Sequence, residues 1–159
     1  MASEWVLFDA GIFIGALLLG DPRHRESRPL VEAARRGERL ACTTSGILSE
    51  VYAALTWQQA RPPHTPEEAA LAVSLLVESP SAIRVLEEGQ AAALRTLELA
   101  SSHQLRARRI HDARHAAAAL VAGISLVLTY DAEDWEVFED DGLRIVGPTS
   151  TLARLGRPS

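Results

Sequence analysis
The chain of 159 residues is 47% hydrophobic and 23% charged, a balance that suits one α/β core and leaves little room for a second. Its formal charge of −5 argues against coating nucleic acid by bulk electrostatics, and its one cysteine, Cys42, rules out an intramolecular disulfide or a cysteine-built zinc site. With no basic leader ahead of an apolar stretch, and no apolar run near the ~18 residues of a membrane span, a soluble, unexported, cytoplasmic protein without a membrane partner is expected.

In chain order, Trp5 to Phe8 is a short continuous apolar run, as a buried parallel strand would be, and Ile12 to Leu19 then reads as a helix stopped by Gly20. A charged loop, Asp21 to Arg28, leads to a helix that opens at Pro29 and ends at Gly37; Arg39 to Thr43 is the second strand. Ser45 is placed to cap a helix from about Gly46 to Ala60, and Thr65-Pro66-Glu67-Glu68 marks the start of another that runs on to Ser79-Pro80. Ala82 to Leu86 follows as a third strand. Helices over Gln90 to Ser102 and Arg109 to Ala122, the latter ended by Gly123, precede a strand from Ser125 to Tyr130. A short acidic helix around Asp134 to Phe138, a turn at Asp141-Gly142 and a strand from Leu143 to Val146 complete a domain over residues 1–150, with 151–159 as a tail. Strands separated by helices throughout predict an α/β fold: a mostly parallel sheet of about five strands covered on both faces.

Four acids close apolar segments or border an apolar helix face: Asp9 after Trp-Val-Leu-Phe, Glu50 in Ile-Leu-Ser-Glu-Val-Tyr, Asp112 in Arg-Ile-His-Asp-Ala-Arg-His, and Asp131 after Leu-Val-Leu-Thr-Tyr. Each has a plainer reading: a turn acid for Asp9, a solvated helix face for Glu50, an ion pair with Arg109 or Arg114 for Asp112, and a helix N-cap for Asp131. Taken together they point elsewhere. Two carboxylates ~4 Å apart repel by about 4 kcal/mol at an effective dielectric of about 20, so a cluster needs cations. Oxygen donors without a histidine or cysteine framework suit one or two Mg²⁺ or Mn²⁺ ions, and the chemistry such ions serve best is phosphodiester hydrolysis. Ligands of parallel sheets gather beyond the carboxyl ends of the strands, where Asp9 and Asp131 fall.

The same residues carry a resemblance that spans almost the whole chain. Val-Leu-Phe-Asp-Ala-Gly-Ile-Phe-Ile around Asp9, Thr44-Ser45-Gly46-Ile47-Leu48-Ser49-Glu50, His111-Asp112-Ala113-Arg114-His115-Ala116-Ala117 and Leu128-Thr129-Tyr130-Asp131-Ala132-Glu133-Asp134-Trp135 are similar, in order and spacing, to the four acidic motifs of the PIN-domain ribonucleases, and among them to the toxins of VapBC-type toxin-antitoxin pairs. Two departures stand out: Gly11 where many members have Asn or Ser, which removes a side-chain hydrogen bond to Asp9, and Trp135 where the closing aromatic is commonly Phe. The resemblance implies that Asp9, Glu50, Asp112 and Asp131 bind metal, that Asp134 assists, that Thr129 orients an acid or a phosphate, and that the substrate is RNA. It also implies an antitoxin partner, whose hydrophobic helix and basic side chain would cover the acidic pocket.

Arg106, Arg108, Arg109 and Arg114 lie beside Asp112 and are candidates for holding RNA phosphates, as are Arg23, Arg25 and Arg28; ordinary solvated arginines are the simpler reading of both groups. His111 and His115 have transition-metal spacing but are assigned no role, and Tyr52, Trp57 and Trp135 are expected to pack rather than to stack on bases. The apolar helices after Thr65 would suit a homodimer. An aspartate-nucleophile phosphatase would need a second acid where Gly11 stands and a later lysine, and the chain contains no lysine. The remaining rival is a PIN-like module that is non-catalytic, or that processes RNA without acting as a toxin.

Overall fold
In the computed structural model of the protein, residues 4–148 are described, so the tail expected over 151–159 lies outside the described residues. Strand β1 (Val6–Phe8) is buried at all three positions, and so is β4 (Leu126–Leu128), because both have parallel neighbours on either side and helices over both faces. Between them in sequence come α1 (Ala10–Leu17), α2 (His24–Arg35), β2 (Ala41–Thr44), α3 (Ser45–Thr56), α4 (Pro66–Val77), β3 (Arg84–Leu86), α5 (Gln90–Ser102) and α6 (Ile110–Val121). After β4, α7 (Ala132–Trp135) passes through a 3-10 turn over Glu136–Asp141 into β5 (Arg144–Val146).

The sheet is wholly parallel in the order β3-β2-β1-β4-β5, with Val6 in register with Ala41 on one side and Leu126 on the other. Reversing direction outward from a central β1 leaves a crevice at the carboxyl ends of β1 and β4. The core beneath it is Leu7, Phe8, Ile12, Phe13, Leu55, Leu128, Trp135 and Phe138, all fully buried. Gly37 and Gly123 end α2 and α6 with φ of 77° and 76°, the left-handed geometry their positions require. Cys42 is buried between strands, and burial pushes its thiol up to about 12, which leaves it unreactive.

Of the boundaries that differ from the sequence reading, three have a side-chain cause. Helix α2 starts at His24, ahead of Pro29: Asp21 accepts the Arg23 backbone N–H at 2.8 Å and the buried Ser27 hydroxyl pairs with Tyr130 at 2.8 Å, so side-chain contacts order a stretch that reads as a charged loop. The cap of α3 is Thr44, whose oxygen accepts the Ile47 N–H at 3.0 Å, while Ser45 turns outward to donate to Glu88 at 2.6 Å. The closing helix begins at Ala132, because Trp135 must reach into the core. Helix α4 opens as expected, on a complete Thr65–Glu68 capping box with Pro66 in the first turn.

Candidate active site
Asp9 ends β1 and caps α1. Its Oδ1 accepts the Ala10 N–H at 2.9 Å, and its Oδ2 accepts both the Thr129 hydroxyl at 2.7 Å and the Trp135 indole N–H at 3.1 Å. The Thr129 oxygen in turn accepts the Asp131 backbone N–H at 2.9 Å, tying the ends of β1 and β4 together at the level of the two aspartates. Asp131 is the N-terminal flank of α7, yet its carboxylate caps nothing there. The cap reading of Asp131 therefore fails, whereas the turn-acid reading of Asp9 holds alongside its longer-range bonds.

Asp112 lies in the first turn of α6, with Arg109 3.5 Å away, and Arg114 is paired instead with Glu88 at 2.9 Å. Burial, then the charge of Asp134, hold the Asp112 carboxyl above the usual range, with Arg109 opposing and Asp9 adding. For Asp131 burial again comes first, followed by Asp9 and Asp134, with Arg23 opposing and Glu50 adding. Through these mutual repulsions Asp9, Glu50, Asp112, Asp131 and Asp134 form one electrostatic cluster at the carboxyl end of the central strands. Among the described residues, however, no three His, Cys, Asp or Glu side chains are gathered closely enough to hold a metal ion directly.

Glu50, on the exposed side of α3, accepts from His115 at 2.8 Å. His115 is buried, as is Trp135, and local pattern marks neither for this role: the histidine opens a run of alanines, and the tryptophan stands between Asp134 and Glu136. Arg23 is likewise better placed than its charged context suggests. Its guanidinium is forked onto Asp21 at 2.9 and 2.8 Å, lies 5.2 Å from the Tyr130 ring centroid, and fills the space beside Gly11, where an added Cβ would be 2.9 Å from Nη1. The two departures in the motifs thus answer one another: the glycine gives Asp9 no side-chain donor, and the indole of Trp135 provides one. Arg106 and Arg108 are exposed on either side of Ala107, a non-glycine residue at φ 51°, and Arg109 also reaches the Asp134 carbonyl at 3.2 Å.

A family model described as PIN domain matches residues 6–139. No curated protein matches the chain in sequence. Among solved structures, VapC20 of Mycobacterium tuberculosis, described as a sarcin-ricin loop cleaving toxin, is 19% identical with a TM-score of 0.65, over 87% of this chain and 96% of that one. VapBC-1 of nontypeable Haemophilus influenzae is 18% identical with a TM-score of 0.63, over 91% and 98%. A toxin-antitoxin complex from Klebsiella pneumoniae gives 21% and 0.58, over 90% and 97%. At these identities the likeness is one of fold.

Proposed function
The chain belongs to the PIN domain family, and from that premise we propose that it is a divalent-metal-dependent endoribonuclease, hydrolysing RNA phosphodiester bonds in the cytoplasm as the toxin of a toxin-antitoxin pair. The observation that carries the reading is the cluster itself: five carboxylates from the end of β1, from α3, from α6, from the β4–α7 junction and from α7, two of them with pKa values raised by burial and then by mutual repulsion. Such charge is offset most simply by a hard cation. With no three of the described acids gathered to ligate an ion directly, Mg²⁺ suits the cluster best, because it keeps several waters and takes only one or two carboxylates from the protein.

When bound, one or two such ions supply the acidity that turns water into a nucleophile and the charge that stabilises the departing oxygen. The chain's own part is to hold the donors. Asp9 is fixed by three hydrogen bonds and Thr129 couples it to Asp131, while Glu50, Asp112 and Asp134, from α3, α6 and α7, belong to the same field of mutually repelling carboxylates. Arg106 and Arg108, exposed at the approach to α6, position phosphates, and Arg109 and Arg114, each paired with a neighbouring acid, contribute less.

The toxin reading draws on the neighbours solved with their antitoxins. On this chain an apolar trough of about 470 Å³ between α1 and α3, lined by Ile14, Leu18, Ala54, Trp57 and Ala60, suits an antitoxin helix, and its rim includes Arg23 beside the acids. Leu71 and Leu75, exposed on α4, suit a second copy of the chain. The test is cleavage of a mixed RNA pool by purified protein with Mg²⁺ or Mn²⁺, with chelator, and by Asp9→Asn. Cutting that needs the ion and disappears in Asp9→Asn is expected; a folded wild type that binds ions and cuts nothing would favour a non-catalytic module.

A further inference from the structure
Glu50 stands on an exposed helix face, where a glutamate would ordinarily move among several rotamers. Here it does not stand alone. Its Oε1 is 2.8 Å from Nε2 of His115, whose side chain is only 3% exposed. On the far side of the ring, Nδ1 lies 3.0 Å from the Thr44 hydroxyl. That hydroxyl oxygen also accepts the Ile47 N–H at the cap of α3, and Nε2–H on the other side of the ring is aimed at an acceptor-only carboxylate.

The chain Thr44 O–H to Nδ1, Nε2–H to Glu50 joins the start of α3, the second turn of α6 and the acid into one unit. It requires the first turn of α3 to come unusually close to the ring: a Cβ on Gly46 would sit 2.8 Å from His115 Cε1. A buried imidazole needs a partner at each ring nitrogen, and here one of the two is the Glu50 carboxylate.

We propose that His115 is a positioning residue for Glu50, holding Oε1 so that Oε2 is presented to a divalent cation or its water shell. The proposal rests on the reading that the acids bind metal. Its test is titration of the full chain with Mn²⁺ by calorimetry, with RNA cleavage and melting temperature alongside, for wild type, His115→Leu, His115→Gln, Glu50→Ala and the His115→Leu/Glu50→Ala pair.

His115→Leu is expected to weaken Mn²⁺ binding roughly 10- to 100-fold, the usual effect of removing a group that orients a ligand. His115→Gln, whose amide N–H can replace Nε2, is expected to recover most of the affinity, and in the Glu50→Ala background the leucine is expected to cost nothing further. Should His115→Leu not fold, His115→Met, flexible and without an N–H, takes its place. A folded His115→Leu or His115→Met with wild-type affinity overturns the proposal, as does a loss that glutamine fails to restore or that persists without Glu50. A folded wild type that binds no Mn²⁺ overturns the metal reading itself, a result distinct from either.

Discussion

Asp9 accepts from a backbone amide, a hydroxyl and an indole, and the indole is the one donor that a single substitution removes cleanly. Trp135→Phe keeps an aromatic in the core but leaves a buried charge short of a hydrogen bond, and is expected to lower stability by about 1–3 kcal/mol in urea unfolding. The neighbouring acids respond in the opposite sense. Folding raises the carboxyl pKa of Asp131, so the native state holds that proton more tightly than the unfolded chain, and stability falls as pH climbs from the unfolded value of about 3.9 through the raised native one. With chelator present, Asp131→Asn is therefore expected to melt above wild type at about pH 7.5 and to converge with it at about pH 3. A variant that melts lower at both would mean the carboxylate is held by attraction rather than repulsion.

Among the elements, α4 is built on purely local signals. Thr65→Ala removes one half of its capping box and is expected to cost about 0.5–2 kcal/mol of stability while RNA cleavage stays at the wild-type rate. Elements of this kind are legible in the sequence: α4 from its cap, α5 from its alanine and leucine content, β1 and β4 from their unbroken apolar runs, and the places of Asp9 and Asp131 from where those runs end. What remained hidden depends on contacts distant in sequence. Helix α2 extends ahead of Pro29 because Ser27 meets Tyr130 across 103 positions, and Thr44 outranks Ser45 as a cap because its hydroxyl also faces His115. The bond from Trp135 to Asp9 spans 126 positions, beyond the reach of any local pattern.

For the molecule as a whole, a formal charge of −5 and an acidic crevice mean that the RNA of the proposed reaction would be held against a repulsive background. Binding through few arginines gives a shallow dependence on salt, about 0.7 in the log–log slope for each single-strand phosphate contact. Replacing Arg106 and Arg108 together by alanine is expected to flatten that slope by about one to two units and to weaken binding equally across sequences, measured with Asp9→Asn by fluorescence anisotropy. An unchanged slope would move the phosphate contacts elsewhere. No helix among the described residues is long and apolar enough to cross a membrane.

The order in which the chain is made has its own consequence. β4 is the inner neighbour of β1, and Thr129 and Trp135, which hold Asp9, come 120 and 126 residues after it. A nascent chain that ends between Glu50 and β4 carries Asp9 and Glu50 without the strand that borders Asp9 and without either of its side-chain donors. The acids therefore meet only when the chain is nearly finished.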